Sequence, residues 1–120
     1  MRQNIIKEKS LAFAVRIINL SRYLKAHHFE PALYQQILKS GTSIAANVSE
    51  ATSAISRADF SSKISISYKE ANETLCWLKL LAETNSITQK QYESMDKDCN
   101  EIMKILYSIL KTTRIRRKQQ

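Results

Sequence analysis

A chain of 120 residues, 43% hydrophobic and 25% charged, has room for one domain and can bury about two-thirds of its unfolded surface in a single core. One Gly and one Pro are too few for a turn-rich β protein or a disordered linker, so the composition excludes both and leans helical. The net charge of +8 favours a polyanionic partner, RNA, DNA or an acidic protein, and Lys111, Arg114, Arg116, Arg117 and Lys118 crowd the last ten residues with no acidic residue among them.

In chain order, Ile6, Phe13, Ile17, Leu20, Leu24 and His27 recur at steps of three, four and seven, which predicts a helix from about Ile5 to His27. Glu30-Pro31 marks a restart, because proline suits the first helical turn, where its missing N–H has no partner to lose. A second stripe runs through Leu33, Ile37, Ser40, Ile44, Val48, Ala51 and Ile55. Ser56-Arg57-Ala58-Asp59 reads as the capped start of a third helix, with Ile55 and Phe60 as its hydrophobic staple. That helix runs to about Thr84 on Phe60, Ile64, Tyr68, Ala71, Leu75, Leu78 and Ala82. Thr88-Gln89-Lys90-Gln91 opens the fourth, with Ile87 and Tyr92 as staple and Tyr92, Met95, Cys99, Ile102, Leu106 and Ile109 as stripe. Connections of only a few residues force successive helices to be antiparallel neighbours. The prediction is an all-α, up-down-up-down four-helix bundle over residues 1–112, followed by a basic C-terminal tail over 113–120.

Two faces are left over. Gln36, Ser40, Ser43, Asn47, Glu50 and Ala54 form a small, polar line on the second helix, and mid-helix Gly41, which costs about 1 kcal/mol relative to Ala, reads as a place of close helix approach. On the third helix Lys63, Ser67, Glu70, Thr74, Trp77 and Leu81 form the corresponding flank. Trp77, Leu80, Leu81 and Tyr107 are apolar groups beyond the four stripes, which reads either as a self-association face or as a widened buried face. Arg16, at the edge of the first stripe, calls for a carboxylate, and Glu50 and Glu70 are the candidates.

The residues offer no chemistry. The two histidines, His27 and His28, are adjacent and point about 100° apart on a helix, so the inward carboxylate and histidine set of bundle metal sites is missing. No phosphate-binding glycine loop, dinucleotide fingerprint or nucleophile elbow is present. Ser61, Ser62, Ser65 and Ser67 have no histidine placed as a base. Cys76 and Cys99 lack the spacing of a metal or redox pair and read as reduced packing residues. The reading is a protein that is not an enzyme, with no cofactor, no metal and no small-molecule substrate. With no signal-peptide-like start and no apolar run of about 18 residues, it is expected to be cytoplasmic and free of the membrane. The basic tail either offsets the negative end of the fourth helix or contacts phosphates, in a salt-sensitive way and without base stacking, since no aromatic residue interleaves it.

The run from Gln36 to Ala51, with its Ser43-Ile44-Ala45-Ala46-Asn47-Val48-Ser49-Glu50 pattern, then Ala58-Asp59-Phe60 and Lys69-Glu70-Ala71-Asn72-Glu73-Thr74-Leu75-Cys76-Trp77-Leu78, resembles the small four-helix-bundle proteins encoded in intervening sequences of bacterial 23S rRNA genes. Phe13-Ala14-Val15-Arg16-Ile17 is similar as well, so the resemblance spans nearly the whole chain. It implies a ring-like homopentamer with a positively charged surface for nucleic acid. The accessory protein of diversity-generating retroelements is a similar protein, which implies a reverse transcriptase as another partner. Members are often called ribosomal proteins, a label that reflects gene location. On the matching positions, Ser43, Asn47, Glu50, Glu70 and Glu73, with Arg16 and Trp77 beside them, are expected to support packing and subunit geometry.

Overall fold

The computed structural model describes the backbone of residues 2–118 and the side chains of residues 4–113. Four helices make up the described chain: α1 (Arg2–Ala26), α2 (Pro31–Thr52), α3 (Arg57–Glu83) and α4 (Gln89–Lys118). Each packs on its chain neighbours and α4 returns to α1, with no diagonal contact, so the bundle is up-down-up-down and 52 Å long by about 22 Å across.

The helix boundaries follow from local chemistry. α1 stops one residue short of His27 because His28 takes a left-handed φ of 60°, which lets its N–H bond the Lys25 carbonyl and the Phe29 N–H bond the Leu24 carbonyl. That pair of bonds is a Schellman cap, and Asn85 (φ 57°) repeats it at the end of α3 through the Ala82 and Leu81 carbonyls. Pro31 stands in the first turn of α2. At α3 the Ser56 hydroxyl accepts the Asp59 N–H at 3.0 Å, and the Asp59 carboxylate accepts the Ile55 N–H at 3.2 Å. Ile55 is 94% exposed, so the staple expected with Phe60 does not form and the cap is wholly polar. At α4 the box is reciprocal: Thr88 Oγ1 accepts the Gln91 N–H at 3.0 Å and Gln91 Oε1 accepts the Thr88 N–H at 2.7 Å.

The core is the four predicted stripes, centred on Ile6, Phe13, Ile17, Leu24, Ile37, Ile44, Ile64, Leu78, Ile102 and Leu106. His27 and Ile55 lie outside it, since the helices end before reaching them. Leu81 lies inside it, 1% exposed, so it is core and not part of a spare apolar face. Gly41 is buried against α1: a Cβ there would stand 2.7 and 2.8 Å from the two Cγ atoms of Ile17, closer than carbon atoms pack. The α2–α3 seam is polar and satisfied, with Ser67 Oγ donating to the Ile44 carbonyl at 2.9 Å and Thr74 Oγ1 lying 2.9 Å from Ser40 Oγ. Of the second line, Ser40 thus works in a seam between helices.

Candidate nucleic-acid interface

A layer through Phe13, Ile44, Ser67 and Ile102 cuts the bundle across its middle, since Ser67 bonds the Ile44 carbonyl and Phe13 and Ile102 line one cleft. Residues 14–43 and 67–101, on the side of the α1–α2 and α3–α4 turns, carry eight basic and eight acidic residues. The half beyond the layer, at the α2–α3 turn, carries eleven basic residues against only Glu8, Glu50 and Asp59. The whole net charge of the protein therefore belongs to one half of the rod.

α4 is the main carrier. Its helix crosses the expected boundary at residue 112 and continues to Lys118, because Thr113 is still buried with its hydroxyl on the Ile109 carbonyl at 2.8 Å. Lys111 is exposed on this helix. Arg114, Arg116, Arg117 and Lys118 belong to the same helical backbone, while their side chains lie outside the described residues. Along the solvent side of α4, Lys90, Lys97, Lys104 and Lys111 are all exposed, and Lys118 continues the seven-residue step. Seven residues is almost two full turns, so the lysines follow one line at intervals of about 10.5 Å. Sequence reading passed over this row because it tracked only the apolar stripe of the same helix, although the spacing was there to count.

The other site residues sort differently. Arg16 meets neither Glu50 nor Glu70. Its Nη1 bonds Asp98 Oδ2 at 2.5 Å and its Nη2 bonds Ser94 Oγ at 2.8 Å, both on α4. With Lys9 Nζ and Glu101 at 3.4 Å, this pair bridges the α1–α4 seam, the sparsest in the bundle. Glu50 is exposed, Ser43, Asn47 and Glu70 are half-buried, and the Asn47 amide is used locally on the Ser43 carbonyl at 2.9 Å. Partial burial, with Glu73 nearby, raises the Glu70 carboxyl above its usual range, against the pull of Lys39. Trp77 is half-buried and gives its Nε1–H to Glu73 at 3.1 Å. These residues are a band on the outer faces of α2 and α3, and nothing brings them together as a reactive site.

Burial pushes the Cys99 thiol up to about 12, with Asp96 and Asp98 adding to it, whereas Cys76 is exposed. Among the described residues no three metal-ligating side chains cluster, and no helix is long and apolar enough to cross a membrane.

The 23S rRNA-intervening sequence protein family matches residues 2–108. This chain belongs to that family. A crystal structure of a protein of unknown function from the S23 ribosomal protein family, from Bacteroides thetaiotaomicron, is 54% identical, covers 92% of this chain and 99% of its own, and superposes with a TM-score of 0.91. No curated protein matches the chain. The family match takes in α1, α2, α3 and α4 as far as Ser108, with the lysine row up to Lys104, and ends before Lys111 and the terminal arginines.

Proposed function

We propose that this protein is a non-enzymatic, oligomeric bundle that holds a nucleic acid by its phosphates through the basic half of its surface. The observation that carries this reading is the concentration of the entire +8 charge beyond one layer of the bundle. Like charges crowded together weaken a folded protein by self-repulsion, so an excess of this kind is best explained by the partner that neutralises it. Lys and Arg on phosphates release counterions and read no sequence. Self-association, as the ring-like homopentamer that the resemblance implies, is supported by an apolar line on the outer side of α1. Leu11 and Val15 there are 52% and 57% exposed, and Ile18 follows one turn on. The same line favours a second reading, a scaffold for another protein such as a reverse transcriptase, in which the charge is incidental.

The test is binding of RNA and DNA by the purified protein across a salt series, with its mass measured by light scattering in the same buffers. An oligomer whose affinity falls steeply with salt is expected. An oligomer with no affinity even at low salt overturns the nucleic-acid reading in favour of the scaffold, and a monomer overturns the oligomeric part.

A further inference from the structure

Between α3 and α4 runs an open groove of about 440 Å³ whose lining includes Tyr68, Asn72, Lys104 and Tyr107. It lies within the residues of the family match and is separate from the terminal arginines. The Tyr68 and Tyr107 ring centroids are 6.4 Å apart with the planes tilted by 43°. Tyr68 packs partly on the core, while Tyr107 is 53% exposed. An aromatic ring held against a second ring, yet open on its other side, is costly to leave in water and suited to stacking.

Cations flank it. Lys104 is three residues before Tyr107 and Lys111 four after, the spacings that put side chains on one face of a helix, and both lysines are exposed. On α3, exposed Lys69 follows Tyr68. Of the acidic residues before Lys104 on α4, Asp98 and Glu101 are held by Arg16 and Lys9 of α1, while Glu93 and Asp96 lie toward the α3–α4 turn and are engaged by Gln89 at 3.2 Å and Asn100 at 3.1 Å. The groove is therefore cationic from Lys104 onward, toward the basic half of the rod. A duplex could offer phosphates to this row of lysines but has nothing for the tyrosines, because its base faces are already stacked. An unpaired strand offers both.

We propose that this groove binds single-stranded nucleic acid, RNA or DNA, with an unpaired base stacked on Tyr107 beside Tyr68 and the flanking phosphates held by Lys104 and Lys111. This rests on the reading that the protein binds nucleic acid and adds the place and the strandedness. Fluorescent oligo-uridine, oligo-thymidine and a mixed-sequence duplex of equal length are titrated with the full chain in a salt series. The single strands bind more tightly than the duplex. Tyr107→Ala weakens single-strand binding roughly tenfold at unchanged salt slope, and Tyr107→Phe, which keeps the ring, restores it. Replacing Lys104 and Lys111 by Gln instead lowers the slope by about 0.7 per lysine. Because Tyr107 is largely outside the core, a circular dichroism spectrum and melt identical to the wild type are expected for each variant. Wild-type affinity in Tyr107→Ala, equal loss in Tyr107→Phe, or a preference for the duplex overturns the groove while leaving the proposed function standing. No binding of any probe by the wild-type protein overturns both.

Discussion

The two halves of the rod hold charges in different ways. In the half with the α1–α2 and α3–α4 turns, opposite charges balance and the ion pairs serve the fold: Arg16 with Asp98 closes a seam, and Lys79 with Glu83 at 3.2 Å follows the surface of one helix. Both left-handed caps, at His28 and Asn85, are at this end too. In the half with the α2–α3 turn the same helices are capped and packed just as well, through Ser56 and through Ile6, Val48 and Ile64, yet eleven cations face three anions. Packing explains the first arrangement and does not explain the second, although the α4 macrodipole accounts for a part of it by favouring cations near its C-terminus. A charge pattern that folding does not need is a better guide to function than one that it does.

The strongest way to break this contrast is to neutralise four cations at each end in turn. Changing Arg114, Arg116, Arg117 and Lys118 to Gln is expected to weaken RNA binding about 100-fold near 0.1 M salt, the loss of some four phosphate contacts. Changing Arg22, Lys25, Lys39 and Lys79 to Gln should leave affinity within about threefold, and equal losses would erase the distinction between the ends. Next in size, Gly41→Ala pushes a methyl into Ile17, which is branched, buried and unable to step aside. Overpacking of about 1–3 kcal/mol outweighs the gain in helix propensity, so urea denaturation should show a net loss of about 1 kcal/mol.

Smaller still is the Arg16–Asp98 coupling. Their side chains are 38% and 42% exposed, so a double-mutant cycle with Arg16→Met and Asp98→Ala should return about 0.5 kcal/mol. The cycles with Glu50 and Glu70 should return none. The smallest effect lies in the core of the balanced half, beside the dividing layer, at buried Cys99. Cys99 has its folded pKa raised to about 12 from 9.0 by burial, so the folded state holds that proton more tightly than the unfolded one. The stability this confers is intact below pH 9 and declines as pH rises toward 12. At pH 8 a thiol reagent should therefore modify Cys76 at once, and Cys99 only as fast as the bundle opens.

Much of the fold was legible in the residues. The apolar periods, Pro31, and the Ser56 and Thr88 starts place four helices within a few residues of their observed ends, and Gly41 marks a close helix approach. What stayed hidden depended on three-dimensional hand. Arg16 sits at a stripe edge, and whether that edge faces α2 or α4 follows from which way the bundle closes, which periodicity does not encode. Its partner Asp98 was one of several acidic residues on a helix edge with no mark of its own. Leu81, left open between a self-association face and a widened buried face, belongs to the second, because the buried face of α3 widens toward α2, where small side chains let the helices come close. That α4 runs on past residue 112 has a plainer reason. Basic residues do not end a helix, and buried Thr113 still faces the core. For the interface, composition located the excess charge, whereas the pairing of Tyr68 with Tyr107 required two helices to be set side by side.

The length of the bundle turns its charge asymmetry into a matter of orientation. At 52 Å the rod is several times the screening distance of about 8 Å in physiological salt. A polyanion approaching the balanced end meets almost no field, and one approaching the other end meets nearly all of it. The torque on the molecule grows with that lever arm. On the proposed function, encounters with a nucleic acid would begin tip first, and two copies lying parallel would repel at their tips more than along the rest of their length.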